Sequence, residues 1–207
     1  MLNKRFAFTL AEVLITIGII GVVAAMTLPT LRMNIEGKIL STKAKHAYAL
    51  FTQAAKTYMG QNGLLSLKSV RDCSVSTCTD KTPSVEKLVE TTLKVVQKCD
   101  NPADCFTESY VTKGGTELTS DVIASSGHAY ILADGYVILI SRPSPSSMIK
   151  LKVDVNGSEP PNEFGSDIWA LRINNEGMVV SGGGGGSCDQ NYNACFSEFL
   201  ESKSVND

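Results

Sequence analysis

Hydrophobic and polar positions follow three different patterns along the chain. Residues 8–28 form an apolar run with one charge, and after it apolar residues recur every three or four positions as far as Met59. That second spacing is the spacing of one helix face. Beyond Gly127, the pattern changes to short runs that are typical of strands. The pattern therefore predicts one long N-terminal helix followed by a region rich in strands.

The apolar run is long enough to cross a membrane. From Phe8 to Leu28 it has 21 residues, and at about 1.5 Å per residue it covers about 30 Å, the thickness of the hydrocarbon core. Lys4 and Arg5 precede it, so the positive-inside rule keeps the N-terminus cytoplasmic and sends the rest of the chain across. A cleaved secretory signal is the alternative, but its apolar part is usually shorter and ends at small residues. We expect a single-pass anchor in the cytoplasmic (inner) membrane.

The helical period predicts two helices. The spanning helix continues as an amphipathic segment over residues 29–60, until Gly60 and Gly63 end it. Thr82, with Pro83 at the first helical position, predicts the start of a shorter helix. This helix is predicted to end near Cys99. Its apolar face consists of Val85, Leu88, Val89, Leu93 and Val96.

The strand period predicts an antiparallel sheet. AYILA-DG-YVILIS is typical of a hairpin with a two-residue Asp-Gly connection, and MIKLKVD alternates between apolar and polar positions. DIWALRI and MVVS, joined by NNEG, form a second predicted hairpin. A long helix packed on four or five antiparallel strands is an α+β fold.

Charge and cysteine content agree with one extracytoplasmic domain after the anchor. The net charge is −2, so nothing indicates a nucleic-acid-binding surface. The six cysteines are an even number on the oxidising side of the membrane, and each lies close to one other. Local disulfides are favoured among about 15 possible connectivities, with a zinc site as the alternative. The favoured pairs are Cys73–Cys78, Cys99–Cys105 and Cys188–Cys195.

The N-terminal residues resemble the prepilin signal of type IV pilins and type II secretion pseudopilins. MLNKRFA matches the short basic leader with a small last residue, and FTLAEVLITIGIIGVVAAMTLP matches Phe-Thr-Leu-x-Glu at the start of an apolar helix. The resemblance implies a pilin-like fold, with the long helix packed on a C-terminal antiparallel sheet. It divides the chain into a leader (1–7), a transmembrane and assembly helix (8–28), an amphipathic continuation (29–60) and an extracytoplasmic head with disulfides (61–207).

The resemblance also implies a processing reaction. Prepilin peptidase would cut between Ala7 and Phe8 on the cytoplasmic side and methylate the new amine of Phe8. The mature chain would then polymerise with copies of itself and other pilin-like subunits. The family usually has Gly before the cut, so Ala7 predicts slower cleavage. A plain single-pass anchor without processing is the alternative.

Glu12 is the single charge inside the apolar run. An acidic side chain at the centre of a spanning helix costs roughly 2.5–3.5 kcal/mol, and less near an end. The resemblance gives it a purpose: in a filament, the amine of Phe8 in one subunit would lie beside Glu12 of a neighbour, and each charge would offset the cost of the other. Glu12 would then set the axial register between helices. The alternative is a carboxylate that only reaches the membrane interface.

The loop DVNGSEPPNEFGSD, residues 154–167, is rich in oxygen donors. Its opening resembles an EF-hand or dockerin calcium loop, but Glu159 and Gly165 occupy the positions where an EF-hand has glycine and a carboxylate. It looks more like a loop found in some pilin-like proteins, and calcium-binding loops near the C-terminus are known among pseudopilins. A turn without metal is the alternative. The predicted calcium ligands are Asp154, Asn156 and Asp167, with Ser158 or Asn162 as possible additions.

Two other features are weak indications of chemistry. His128 lies near Ser125, Ser126, Asp121 and Asp134 in the sequence, but no nucleophile elbow accompanies them. The glycine run at 182–186 lacks the Lys-Ser/Thr that completes a phosphate-binding loop. We therefore expect a protein that is not an enzyme.

Two function classes follow. The first is a structural subunit of a type IV pilus or type II secretion pseudopilus. The second is a minor tip pilin whose head is a binding module for adhesion, DNA uptake or secreted-substrate recognition.

Overall fold

The computed structural model describes residues 9–74, 76–124, 126–182, 195, 196 and 199. The predicted α+β layout is confirmed, because a long N-terminal helix precedes a second helix and an antiparallel sheet. The elements in chain order are α1 (Leu10–Gln61), α2 (Val85–Thr92), β1 (Val95–Cys99), β2 (Ser109–Val111), β3 (Glu117–Thr119), α3 (Ser120–Ile123), β4 (His128–Leu132), β5 (Val137–Ser141), β6 (Ile149–Asp154), β7 (Ile168–Ile173) and β8 (Val179–Ser181).

The chain forms two compact units that divide after Ile39. The described part of the first unit is the start of α1. Its stretch Leu10–Pro29 is 20 residues long, and none of it is buried inside the protein. By length and composition this stretch is able to cross a membrane, and its apolar side chains are exposed, as they must be to contact lipid or other helices.

The second unit contains the end of α1 and the sheet. The last turns of α1 place small and aromatic side chains at helical spacing in the hydrophobic core, as one face of an amphipathic helix does. The buried residues of this face are Ala44, Ala47, Phe51, Ala54, Ala55 and Tyr58. Tyr58 also reaches α2, because its hydroxyl accepts a hydrogen bond from the Ser84 backbone N–H at 3.0 Å.

Among the described residues, six strands form the main antiparallel sheet, in the order β1-β4-β5-β6-β7-β8. The prediction of four or five strands was wrong by one strand, β1, and it also missed the small sheet that β2 and β3 form. The alternation in β6 is as predicted: Ile149, Leu151 and Val153 are buried while Lys150 is exposed.

The second helix is shorter than its apolar spacing predicted. Ser84 caps its N-terminus by accepting from the Lys87 N–H, so the helix begins after Pro83. It ends at Thr92, and residues 95–99 pair with β4 as strand β1. A short apolar run fits either period, and β-branched residues such as Val95 and Val96 favour the strand when a partner strand is available.

The first hairpin has a longer connection than predicted. The Gly135 N–H donates to the Leu132 carbonyl at 3.0 Å, and the Leu132 N–H donates to the Tyr136 carbonyl at 2.9 Å. The connection therefore has three residues rather than Asp134 and Gly135 alone. Gly135 has φ +82°, the left-handed conformation that this three-residue turn requires at its last position. The second predicted hairpin forms between β7 and β8.

Two of the predicted disulfides are present, Cys73–Cys78 and Cys99–Cys105. Cys195 is disulfide-bonded as well, whereas its predicted partner Cys188 lies outside the described residues. The zinc alternative is wrong for the first four cysteines, because none of them retains a free thiolate.

Candidate functional site

Three groups of residues bear on function: the start of α1, the loop 154–167, and a cluster around His128. The predicted cleavage site, Ala7 and Phe8, lies outside the described residues. So do Ser125 and all but the first residue of the glycine run.

Glu12 forms a reciprocal capping box with Thr9 at the start of α1. The Thr9 N–H and hydroxyl donate to Glu12 Oε2 at 2.9 and 2.8 Å, and the Glu12 N–H donates to Thr9 Oγ1 at 3.2 Å. Each side chain thus satisfies a backbone donor that the first helical turn leaves without a partner. This capping role of Glu12 was not predicted from the sequence, although the spacing Thr-x-x-Glu before an apolar run is its signature. Both residues are exposed in the single chain.

The structure brings the predicted calcium ligands together at the junction of β6 and β7. The Val155 N–H donates to the Asp167 carbonyl at 2.9 Å, so the two ends of the loop meet. Asp154 is fully buried, and its Oδ1 accepts from the backbone N–H groups of Asn156 and Gly157 at 3.1 and 2.8 Å. Its Oδ2 accepts from the Tyr110 hydroxyl at 2.8 Å.

Asp167 is also fully buried and accepts the backbone N–H groups of Asn162 and Glu163, both at 2.7 Å. Burial raises the pKa of Asp154 to about 7, against the effect of its hydrogen bonds and with a contribution from the charge of Asp167. Burial likewise raises the pKa of Asp167. Two close carboxylates in one buried loop are an environment that favours a proton or a cation.

One buried oxygen of this loop lacks a hydrogen-bond partner among the described residues. Asn156 Oδ1 is buried and has no hydrogen-bond partner among the described residues, while Asn156 Nδ2 donates to the carbonyls of Glu159 and Pro160. Oxygen atoms from carboxylates and amides are the ligands that calcium takes. The carboxylates already accept backbone donors, so a cation would share oxygens that also hold the turn. Ser158 is exposed at the surface of the loop.

The His128 cluster joins three segments that are distant in the sequence. His128 Nε2 lies 2.6 Å from Glu86 Oε1 and 3.1 Å from Asp72 Oδ1. Glu86 is in the first turn of α2, His128 begins β4, and Asp72 precedes the first disulfide. In the part of the chain that the structure describes, this is the group of His, Cys, Asp and Glu side chains whose donor atoms converge, all within 4.8 Å of one another.

Hydrogen bonds fix both carboxylates of the cluster. Asp72 Oδ1 accepts from the Ser74 N–H and hydroxyl at 3.0 and 2.5 Å, and Asp72 Oδ2 accepts from the Arg142 N–H at 2.9 Å. Glu86 Oε1 accepts from the Cys73 N–H at 2.9 Å. Glu86 Oε2 is buried and has no hydrogen-bond partner among the described residues.

The electrostatics of the cluster follow from this geometry. The hydrogen bond with Glu86 raises the pKa of His128, although burial opposes it. Burial disfavours the charged form of Glu86, but its hydrogen bonds, first that from His128, outweigh burial and lower its pKa to about 2. The pKa of Asp72 is lowered as well, because its hydrogen bonds outweigh burial.

Gly127 places His128 at this point. A Cβ at position 127 would lie 2.6 Å from the Ile140 carbonyl oxygen, and Gly127 has φ +120°. Only glycine tolerates both the contact and the conformation. The sequence neighbours that suggested a hydrolase do not include the two side chains that His128 contacts, and neither Asp72 nor Glu86 was among the predicted site residues.

Comparison with known proteins gives a match at the N-terminus. The family model described as the prokaryotic N-terminal methylation motif matches residues 2–28. No curated protein and no solved structure matches the chain. The matched segment includes the predicted cleavage site, Glu12 and nearly all of Leu10–Pro29, so arguments about the rest of the chain depend on its own residues.

Proposed function

We propose that this chain, whose residues 2–28 match the prokaryotic N-terminal methylation motif, is a type IV pilin-like protein and serves as a structural subunit of a type IV pilus or a type II secretion pseudopilus. Prepilin peptidase removes residues 1–7 and methylates the amine of Phe8. The mature chain then polymerises through α1 with copies of itself and with other pilin-like subunits. The observation that carries the proposal is the methylation motif on a helix whose stretch Leu10–Pro29 exposes its apolar side chains.

The proposed location follows from the same segment. Lys4 and Arg5 keep the N-terminus in the cytoplasm, and Leu10–Pro29 anchors the chain in the inner membrane until assembly. The head is then extracytoplasmic, where the two disulfides in the described residues are stable. After assembly the protein belongs to a filament and works as a structural component, without catalysis.

In the proposed filament, Glu12 has one local role and one role between subunits. It caps its own helix through Thr9, and in the proposed assembly it pairs with the amine of Phe8 in a neighbouring subunit. Capping needs Thr9, whereas pairing between subunits needs only the charge of Glu12. Variants at the two positions therefore distinguish a local role from an assembly role.

The test compares Glu12→Leu with Thr9→Ala, each expressed as the sole copy of this subunit. We expect Glu12→Leu to insert and be processed but to yield few filaments, because the axial register is lost. Thr9→Ala loses the cap, at a cost of about 1 kcal/mol, but keeps the charge and should assemble nearly as well as the wild type. Sheared-filament yield against total processed protein is the measurement. Wild-type yield from Glu12→Leu would contradict the pairing, and equal losses in both variants would assign Glu12 to capping.

The same preparation addresses the second function class. A structural subunit dominates sheared filaments, whereas a tip pilin that binds surfaces, DNA or a secreted substrate is a trace component. A trace amount relative to another pilin would favour the tip subunit and leave the processing steps unchanged.

We also propose that the loop 154–167 binds calcium weakly, through side-chain oxygens of Asp154, Asn156 and Asp167. The supporting observation is the buried Oδ1 of Asn156, which has no hydrogen-bond partner among the described residues, beside two buried carboxylates. Calcium would supply positive charge to this loop and hold the β6–β7 connection. The sharing of oxygens with backbone donors places the expected affinity in the weak extracellular range, about 10⁻⁴–10⁻³ M.

A further inference from the structure

We infer that Asp72, Glu86 and His128 form a site for a divalent transition metal ion, with Zn²⁺ as the best match. This site lies in the second unit of the chain and does not depend on filament assembly or on the calcium loop. It would join the disulfide segment, α2 and β4 through one ion.

The separations between donor atoms support this inference. His128 Nε2 lies 2.6 and 3.1 Å from the nearest oxygens of Glu86 and Asp72. Three ligands at about 2.1 Å from a tetrahedral zinc ion lie about 3.4 Å from one another. The separation between the donor atoms of His128 and Asp72 is therefore within a few tenths of an ångström of that spacing. The separation between the donor atoms of His128 and Glu86 would have to increase by less than about 1 Å.

The second carboxylate oxygen of Glu86 also supports a metal site. Glu86 is 9% exposed, yet its Oε2 is buried without a hydrogen-bond partner among the described residues. Leaving a carboxylate oxygen in this state is costly unless a partner fills the position. Bidentate coordination by Glu86 would satisfy this atom and complete four donors. The side chain of His128 is 17% exposed, so an ion has access from solvent.

The remaining contacts hold the donors in place. Ser74 and the Arg142 N–H orient Asp72, the Cys73 N–H orients Glu86, and Gly127 sets the start of the strand that carries His128. Hydrogen bonds of this kind around ligands commonly raise metal affinity by about 10–100-fold. The site therefore needs little rearrangement to accept an ion.

The donor set determines the class of metal. One imidazole nitrogen with carboxylate oxygens suits zinc and neighbouring transition metals, whereas calcium and magnesium take oxygen ligands. Two carboxylates also balance the charge of a divalent ion when the imidazole is neutral. Zinc and calcium should therefore bind at different places in this protein, zinc at His128 and calcium at the loop 154–167.

The test uses the full chain in detergent micelles, freed of metal with a chelator and then dialysed. Zn²⁺ is titrated while the melting midpoint is followed, and bound zinc is counted by elemental analysis after equilibrium dialysis. We expect one zinc per chain and a higher melting midpoint, and we expect calcium not to displace the zinc. His128→Gln and Glu86→Gln should each weaken zinc binding by roughly tenfold or more.

The chain offers a matched control in its other histidine. His46 is on α1 and its Nδ1 lies 3.0 Å from the Tyr136 hydroxyl, so His46→Gln should bind zinc like the wild type. X-ray absorption of the zinc-loaded wild type gives a measurement that needs no variant, and it should show one imidazole with oxygen ligands and no sulfur. Sulfur ligands, absence of bound zinc in the wild type, or equal binding by His128→Gln would overturn the inference.

Discussion

At the scale of single residues, the contacts of His128 make the stability of the metal-free protein depend on pH. His128 has a pKa raised above its ordinary value of about 6.5. The contribution of His128 to the stability of the folded protein is therefore complete below about pH 6.5. It is lost as the pH rises through the raised pKa. Glu86, with a pKa of about 2, contributes fully above about pH 4.5 and loses this contribution as the pH falls toward 2.

The His128 pair gives the first prediction. In the presence of chelator, the melting midpoint of the full chain should fall as the pH rises above about 6.5, because the unfolded chain releases the histidine proton before the folded chain does. His128→Gln should show a smaller fall, since one titrating group has been removed. His46→Gln is the control and should keep the wild-type slope. Equal slopes in the wild type and His128→Gln would contradict the assignment.

The sequence reveals some of these residues and hides others for a physical reason. Glu12 is conspicuous because it is one charge within an apolar run. His128 and Asp72 are 56 residues apart, and no local spacing indicates that they meet. Their contact depends on the pairing of β4 and on the path of the chain around the first disulfide. The predicted loop residues Asp154 and Asp167 lie near each other because both flank one connection between adjacent strands.

At the scale of elements, the contact between Tyr58 on α1 and Ser84 before α2 gives a second prediction. Tyr58→Phe keeps the packed ring but leaves the Ser84 N–H buried without its acceptor, at a cost of about 1–3 kcal/mol. Tyr48→Phe is the matched control on the same helix, because the Tyr48 ring stacks on Phe196 and that stacking survives. Chemical unfolding of both variants is the measurement, and equal stability of the two would contradict the role of the hydroxyl.

The loop 154–167 gives the third prediction. At about 1 mM calcium and a dissociation constant of about 0.1 mM, binding adds roughly 1.4 kcal/mol of stability, or about 3–6 °C in the melting midpoint. Chelator should remove the shift, and Asp154→Asn should lack it. Glu159→Gln is the control, because Glu159 is an exposed carboxylate of the same loop. Equal melting of the wild type in calcium and in chelator would leave these residues as parts of a turn.

The local pattern of apolar and polar residues predicts some helices and strands of this protein better than others. The long helix follows from a helical period that is sustained over many residues, and strands β4–β8 follow from short apolar or alternating runs bounded by turn residues. Val95 and Val96 also fit a helical face, and their assignment to β1 depends on hydrogen bonds to β4, which local pattern does not contain. The hairpin at Gly135 was located correctly, but its connection has one residue more because Leu132 pairs with Tyr136.

At the scale of the whole molecule, two different constraints act on one chain. The segment Leu10–Pro29 exposes its apolar side chains, as a helix that crosses a membrane or packs on other helices requires. The second unit folds around its own core, in which the end of α1 covers the sheet. The methylation motif, residues 2–28, lies entirely in the first of the two units. Processing should therefore be separable from the stability of the head, and variants of the metal cluster or the calcium loop should still be cleaved.

Processing gives the last prediction. In cells with active prepilin peptidase, the mature protein should begin at an N-methylated Phe8, and intact mass of the membrane fraction should show the loss of residues 1–7 and the gain of one methyl group. Because Ala7 replaces the usual glycine before the cut, Ala7→Gly should be processed faster in a pulse-chase experiment. His46→Gln, which changes the second unit, should be processed at the wild-type rate. If the chains in the membrane fraction retain residues 1–7, the protein is a plain membrane anchor that is not processed.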